Sequence, residues 1–140
     1  YLKRQAGQDI RRRMAVAFVA TPDGKTIAGY YTLSQHSVDL GILPDELAAK
    51  LPKYPHVPAT LIGRLAVSTA FRGQGAGERL LMDALHRCLR GSRQVASAAV
   101  IVDAKDDRAT TFYRRYGFLE LPQIARRLFL PMATIEELFR

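Results

Sequence analysis

Residues 71–81 read FRGQGAGERLL, in which Gly73, Gly75 and Gly77 occupy every second position directly before a helical pattern. Glycine allows a positive φ and a close approach of the backbone to a ligand, because it has no Cβ to clash. A helix that begins after such a loop presents free N–H groups and the positive end of its dipole, and both favour a phosphate. The stretch therefore predicts an anion site between a strand and a helix.

Two common nucleotide-binding patterns do not fit this loop. A P-loop requires a Gly-Lys-Ser/Thr ending, and neither the lysine nor the hydroxyl is present. A dinucleotide fingerprint requires a third glycine where this chain has Glu78. The remaining pattern, residues 72–77, can form a nest of successive amides suited to a pyrophosphate. Taken alone, the three glycines are interpreted equally well as a flexible turn.

The flanking segments alternate between strand and helix patterns. Short apolar or alternating runs predict strands at residues 14–20, 26–34, 60–68, 95–102, 118–121 and 127–130. Apolar residues at helical spacing predict helices at residues 45–51, 77–91, 109–116 and 134–139. Residues 36–56, apart from their short helix, are punctuated by prolines and predicted to be irregular. The order predicts one mixed α/β domain over residues 1–140. The natural N-terminus is expected to be missing, because Tyr1 stands in a pattern typical of the middle of a helix.

Charge is the strongest global signal. The 140 residues carry a formal net charge of +8, which favours an anionic partner, nucleic acid first. The single cysteine, Cys88, excludes an internal disulfide framework and favours a cytoplasmic location. No run approaches the roughly 18–20 apolar residues of a membrane span, so no membrane partner is predicted. No metal is predicted either, since His86 and Cys88 are two apart on a helix and point to different faces.

Two stretches carry a resemblance to a known family. GRLAVSTAFRGQGAGERLL (residues 63–81) and VDAKDDRATTFYRRYGF (residues 102–118) resemble the GNAT superfamily of acyl-CoA-dependent N-acetyltransferases. The resemblance implies the GNAT fold, a mixed central sheet flanked by helices in which two parallel strands splay apart. Here those strands would be residues 60–68 and 95–102. It also implies acetyl-CoA as the co-substrate.

The resemblance also implies roles for individual residues. Backbone N–H groups of the loop and the start of the helix would hold the pyrophosphate, at Arg72, Gly73, Gln74, Gly75, Ala76, Gly77 and Glu78. The pantetheine arm would pair with the strand at Leu65, Ala66 and Val67, where an N–H near Val67 would also stabilise the oxyanion. Tyr113 matches the family's tyrosine that faces the CoA sulfur and would protonate the departing thiolate. Phe112 beside it would contact CoA or the core. No general base is predicted.

Three further stretches narrow the resemblance. GYYTLS (residues 29–34), PATLIGRLAV (residues 58–67) and FLPMATIEELF (residues 129–139) resemble the GNAT toxins of bacterial toxin–antitoxin pairs. This implies acetylation of the α-amino group of aminoacyl-tRNA, a block of translation, and a ribbon-helix-helix antitoxin as partner. Basic residues suited to the tRNA backbone agree with it: Lys3, Arg4, Arg11, Arg12, Arg13, Arg87, Arg90, Arg93, Arg114, Arg115, Arg126 and Arg127.

Alternatives remain open at this stage. The acceptor could instead be a protein or small-molecule amine, or the chain could be a non-catalytic module that binds nucleic acid or CoA. A homodimer that builds a composite basic groove is a hypothesis. His36 and His56 fall in the predicted irregular region and could line an acceptor site. Tyr30 and Tyr31 could stack on the acceptor or belong to the core.

Overall fold

The structure, a computed structural model, describes residues 13–39, 41, 43–49 and 55–140. The strands are β1 (Val16–Ala20), β2 (Gly29–Asp39), β3 (His56–Val67), β4 (Ala99–Asp103), β5 (Leu119–Glu120) and β6 (Arg127–Pro131). The helices are α1 (Asp45–Ala48), α2 (Ala76–Gly91), α3 (Asp107–Arg115) and α4 (Met132–Leu138), and a 3-10 turn spans Thr69–Phe71. The mixed α/β architecture predicted from the sequence is confirmed.

The six strands form one sheet in the order β1-β2-β3-β4-β6-β5. All neighbours are antiparallel except β3 and β4, which are parallel. A parallel pair needs a long crossover connection. Helix α2 provides it, and the glycine loop therefore lies at the end of β3, where the crossover begins.

The two parallel strands pair over only four positions, from Ala59 opposite Ala99 to Ile62 opposite Val102. Beyond this point β4 ends at Asp103, while β3 continues along β2 to Val67. A β-bulge at Gly63, which has no partner between Thr32 and Leu33 of β2, interrupts the β2–β3 register at the same level, and bulges bend the strand that carries them. The strands therefore part after Ile62 and Val102. Residues 63–67 of β3 form an edge that β4 does not cover, called the open edge below.

The sheet has two different faces. On the first face, α2 and α3 pack on a core that includes Ile62, Leu81, Leu85, Val102 and Tyr113. A smaller cluster covers the second face, with Val38, Leu43, Ala59, Ile101, Phe129 and Leu121. Because successive strand residues point to opposite faces, Leu61 and Ile62 contribute to different faces.

Helix α2 places one apolar stripe on the first face. Its buried residues recur at helical spacing: Leu80, Leu81, Ala84, Leu85, Cys88 and Leu89. Cys88 is therefore part of the core, and burial raises the pKa of its thiol to about 12. The thiol stays neutral and packs as a small apolar group.

Several predicted boundaries were wrong. Strand β2 extends to Asp39 and β3 begins at His56, so His36 and His56 lie in strands and not in an irregular region. The strand predicted at residues 95–102 begins only at Ala99, because the N–H of Val95 bonds to Gly91 in the turn that ends α2 and leaves this side chain 60% exposed. Helix α1 ends at Ala48. Residues 50–51 of its predicted length, and residues 1–12 of the predicted domain, lie outside the described residues.

A polar group ties the β1–β2 hairpin to α2. The Tyr31 hydroxyl donates to Asp83 Oδ2 at 2.5 Å and accepts from Arg87 Nε at 3.0 Å. The Arg87 guanidinium also lies 4.0 Å from the centre of the Phe18 ring, which stacks on Tyr31. Burial, then the bond to Asp83, raises the pKa of Tyr31 to about 12, so the phenol remains a donor. The contacts fix the orientation of α2 relative to the sheet.

We expect Tyr31→Phe to lower the free energy of unfolding by about 0.5–1.5 kcal/mol, because it removes the hydroxyl that joins Asp83 to Arg87, two exposed side chains that can turn to water. Tyr30→Phe is the matched control. The Tyr30 hydroxyl is buried without a hydrogen-bond partner in the described ranges, so its removal should cost little. Urea unfolding of both variants measures the difference. Equal losses would contradict a specific role for the Tyr31 hydroxyl.

Gly29 brings β2, the end of β3 and α2 into close contact. A Cβ at this position would lie 2.6 Å from the Ala66 carbonyl oxygen and 2.6 Å from Leu80 Cδ1. We expect Gly29→Ala to destabilise the protein by about 1–3 kcal/mol through overpacking. In Gly91→Ala the added methyl meets no atom within 4 Å, and the change should stay below about 1 kcal/mol. Thermal or urea unfolding distinguishes the two, and a Gly29→Ala variant as stable as wild type would refute the constraint.

Candidate functional site

The glycine loop adopts a conformation that requires glycine. Gly73 has a φ of +80° and Gly75 a φ of +73°, both in the left-handed region. Gly75 is the N-cap of α2, and the first helical bond runs from Arg79 N–H to the Gly75 carbonyl at 3.1 Å. The amides at the start of the helix therefore have no acceptor within it. The loop and helix end have the geometry of the predicted anion site.

One arginine fastens the loop to the helix. The Arg79 guanidinium donates to the Gln74 carbonyl at 3.1 Å and so places a positive charge beside the loop. Arg72, at the start of the loop, is exposed. Glu78 is also exposed and sits in the first turn of α2, where the helix dipole stabilises a carboxylate. The two arginines add to the attraction that the free amides exert on an anion.

The loop, the end of β3 and α3 meet at Gly77. A Cβ at Gly77 would lie 3.7 Å from the Phe112 ring and 3.8 Å from Val67 Cγ2. The Phe112 ring in turn contacts Tyr113 and Tyr116 edge-on, with centroid distances of 5.3 and 5.2 Å. The structure thus brings together the predicted loop, the predicted strand residue Val67 and both predicted residues of α3.

Tyr113 lies on α3, whose first turn is fixed by Asp106. The Asp106 side chain accepts from the Ala109 N–H at 2.8 Å. Tyr113 is 7% exposed and packs edge-on against Phe112 and Phe118. Burial raises the pKa of its phenol to about 12, and the hydroxyl has no hydrogen-bond partner in the part of the chain that is described. The residue is a protonated donor whose proton is available.

The open edge of β3 presents backbone groups at alternate residues. Ser68 N–H bonds to the carbonyl of Ala28 directly opposite, at 2.8 Å. Hydrogen-bonded and non-hydrogen-bonded pairs alternate along an antiparallel ladder. Ala66 therefore bonds to β2, whereas the N–H and C=O groups of Leu65 and Val67 point away from β2. Two of the three strand residues predicted to pair with a ligand have backbone groups directed to the open edge.

A charged group on the second face was not predicted from the sequence. Arg127 donates to Asp103 through Nε at 2.7 Å and through Nη2 at 2.9 Å. Its Nη1 lies 3.3 Å from His36 Nε2. Burial, then Arg127, lowers the pKa of His36, and the bond to Asp103 raises that of Arg127. The sequence predicts an irregular region at His36 and gives Arg127 only as one of the basic residues suited to the tRNA backbone. The alternation of strand residues could have indicated the shared face, because His36, Asp103 and Arg127 each stand two residues from a strand residue of the second-face cluster.

His86 and Cys88 do not meet. The His86 ring packs against Phe139 at 4.9 Å between centroids, while Cys88 is buried in the first-face core. Over residues 13–39, 41, 43–49 and 55–140, no three His, Cys, Asp or Glu side chains are grouped as metal ligands. No helix in the same ranges is long and apolar enough to cross a membrane.

The chain is similar to two proteins described as toxins. It is 33% identical to a probable toxin TacT of Sinorhizobium fredii, over 89% of this chain and 73% of the relative. It is 32% identical to a tRNA-acetylating toxin of Mycobacterium tuberculosis, over 94% of this chain and 78% of the relative. Both alignments include most of each protein.

Solved structures of AtaT are also similar to this chain. AtaT complexed with acetyl-methionyl-tRNAfMet superposes with a TM-score of 0.87 at 30% identity, covering 99% of this chain and 84% of AtaT. An AtaT mutant bound to the C-terminus of the antitoxin AtaR and acetyl-CoA superposes with a TM-score of 0.77 at 26% identity, covering 94% of this chain and 76% of the mutant. The acetyltransferase (GNAT) domain family matches residues 2–133. The chain therefore belongs to the GNAT acetyltransferase family.

Proposed function

We propose that the protein is an acetyl-CoA-dependent N-acetyltransferase toxin that acetylates the α-amino group of aminoacyl-tRNA and so blocks translation. One observation carries the proposal: the glycine loop, the open edge of β3 and Phe112, whose ring contacts Tyr113, meet at Gly77 in a chain whose relatives include a tRNA-acetylating toxin. A protein that only binds nucleic acid or CoA has no need of a buried phenol beside such a loop.

The residues present fit acetyl-CoA. The amides of Ala76, Gly77 and Glu78 would hold the pyrophosphate, with positive charge added by Arg72 and Arg79. The glycines at 73 and 75 leave this approach clear, since a Cβ at either would meet no protein atom within 4 Å and the space beside them is open to a ligand. When bound, acetyl-CoA supplies an acetyl group activated as a thioester.

The open edge would complete the binding of the co-substrate. The N–H and C=O groups of Leu65 and Val67 can pair with the amides of the pantetheine arm as a neighbouring strand does. Leu65 is nearer to the point at which β3 and β4 part. We therefore assign the Leu65 N–H to the acetyl oxygen, a role that the sequence predicted for an N–H near Val67. The backbone groups of Val67 would pair with the pantetheine arm.

Tyr113 would hold and deliver a proton. Its phenol is protonated at neutral pH, as any tyrosine is, and burial raises its pKa further, to about 12. A proton held at the Tyr113 Oη can be donated to a departing thiolate, which makes sulfur a better leaving group. The α-amine of an aminoacyl ester is less basic than a lysine amine, so the site needs no strong base to keep it neutral.

The charge of the chain suits a tRNA acceptor. With a formal net charge of +8, the protein attracts a polyanion through lysine and arginine. An acceptor that is a cationic small amine would be repelled by the same field. The net positive charge therefore favours aminoacyl-tRNA over a small cationic amine as the acceptor. An enzyme that acts on aminoacyl-tRNA would work in the cytoplasm.

Two partners remain predictions. AtaT has been seen bound to the C-terminus of its antitoxin AtaR, so we propose an antitoxin for this chain, of the ribbon-helix-helix type that the sequence resemblance implied. A homodimer that joins two basic surfaces into one groove is the second proposal. Light scattering of the purified protein at micromolar concentration tests it, alone and with its antitoxin.

We expect Tyr113→Phe to lower kcat for acetyl transfer to charged tRNA by about 10²–10⁴-fold, because the leaving thiolate loses its proton donor. The KM for acetyl-CoA should not change, since the ring and its packing remain. Tyr116→Phe, on the same helix, is the control and should retain activity. The assay follows labelled acetyl groups from acetyl-CoA onto a mixture of charged and uncharged tRNA.

The same assay separates the alternatives. Label that appears only on the charged pool and is lost in Tyr113→Phe supports the proposal. Label on proteins or small amines would assign a different acceptor to a GNAT enzyme. Bound acetyl-CoA without transfer to any acceptor would indicate a binding module.

We expect Gly75→Ala to weaken acetyl-CoA binding about tenfold, because an alanine in the left-handed region costs about 1–2 kcal/mol and the loop would shift to relieve it. Gly24→Ala is the matched control. Gly24 has a φ of +77° and free space around its Cβ position, but lies in the β1–β2 turn. Calorimetric titration with acetyl-CoA should show weaker binding for Gly75→Ala alone. An unchanged Kd in that variant would argue against the loop as the pyrophosphate site.

A further inference from the structure

The Arg127 group lies where the sheet opens. Asp103 directly follows Val102, the last β4 residue paired with β3, and Arg127 is its cross-strand neighbour on β6. His36 reaches the same guanidinium from β2, on the far side of β3. The three side chains therefore lie on the second face of four adjacent strands. Asp103 and Arg127 stand at the level where β3 and β4 part, and His36, opposite Ala59, stands at the first paired position.

The hydrogen bonds of Arg127 leave part of its guanidinium available. An arginine has five N–H donors and no acceptor. Two of them bind Asp103 and one binds His36. Since Arg127 can only donate, His36 Nε2 must accept, which makes His36 neutral and places its proton on Nδ1. Two N–H groups of a guanidinium held on two sides remain for a ligand, and the Arg127 side chain is 23% exposed.

The acceptor has one face from which to approach. Helices α2 and α3 and the main core fill the first face around Tyr113. A thioester held along the open edge of β3 would lie between that core and the second face. The attacking amine therefore comes from the second face, where Asp103 and Arg127 lie beside the opening.

We propose that Arg127 binds an oxygen of the aminoacyl end of charged tRNA, and that Asp103 and His36 position its guanidinium for this contact. The inference rests on the proposed function and names a binding residue for its acceptor. The ligand atom is an oxygen acceptor, supplied by the aminoacyl ester carbonyl or by the terminal phosphodiester. A planar donor pair with fixed direction is suited to either.

The decisive measurement compares Arg127→Gln with Arg140→Gln. Both remove one positive charge, but Arg140 is exposed and follows α4, outside the Arg127 group. We expect Arg127→Gln to raise the KM for charged tRNA about ten- to a hundredfold, the usual loss for a hydrogen bond from a charged donor. The KM for acetyl-CoA should stay within about twofold, and Arg140→Gln should match wild type in both constants.

His36 tests the positioning role separately. In His36→Gln, the amide oxygen can still accept from Arg127, so the KM for charged tRNA should stay near that of wild type. In His36→Leu the acceptor is lost, and this KM should rise several-fold with the acetyl-CoA constant unchanged. If Arg127→Gln does not fold, this pair decides the question. Equal constants in the two His36 variants would overturn the positioning role.

A second acceptor substrate shows whether Arg127 binds the ester carbonyl oxygen or the terminal phosphodiester. An aminoacyl-nucleoside without phosphate retains the ester carbonyl. A loss in Arg127→Gln with this acceptor assigns the carbonyl, and a loss seen only with charged tRNA assigns the phosphodiester; both support the inference. Arg127→Gln equal to Arg140→Gln, or equal rises in the two KM values, overturns it. Absence of transfer by the wild-type enzyme would instead overturn the proposed function and the inference together.

Discussion

The parting of β3 and β4 after four paired residues is the constraint on which the site depends. Buried backbone amides need partners, and an uncovered strand edge invites pairing with another chain. Here the bulge at Gly63 bends β3 where β4 ends, and the alternation of the β2–β3 ladder directs the N–H and C=O groups of Leu65 and Val67 to the gap. A ligand with amide groups spaced like a peptide satisfies that edge. The break in the sheet thus creates a site without any special side chain on the strand.

The gap between β3 and β4 can hold a co-substrate only if α2 has a fixed position beside it. The helix must present its first amides beside the end of β3, and two contacts with β2 hold it there. Gly29 allows Leu80 and Ala66 to approach, and the Tyr31 hydroxyl joins Asp83 and Arg87 one and two turns further along the helix. Gly29 and Tyr31 belong to GYYTLS (residues 29–34), a stretch that resembles the GNAT toxins. Its physical role is to orient the anion-binding end of α2.

The sequence predicted features that depend on neighbours along the chain. The glycine loop, the stripe of α2 and the helix that carries Tyr113 are local, and each was found within two residues of its expected place. The start of β4 was wrong because Val95 is as apolar as a strand residue, although a turn ending α2 holds its backbone. The contact of Arg127 with His36, 91 residues apart, could not be predicted. It requires β2, β3, β4 and β6 to lie side by side, and this order is a property of the sheet.

Burial of Tyr113 sets the order of proton transfers in the proposed reaction. A phenol with a pKa of about 12 is a weaker acid than a thiol, whose ordinary pKa is about 8.5. Donation to a solvated thiolate is therefore uphill, and less so to a thiolate that departs within the buried site, because burial raises the pKa of a thiol as well. The cost is recovered if the phenolate at once takes the proton that the amine nitrogen releases on becoming an amide, because that nitrogen is a much stronger acid than a phenol. One buried tyrosine could then serve the leaving group and the nucleophile in turn, which explains how the site can work without a separate general base.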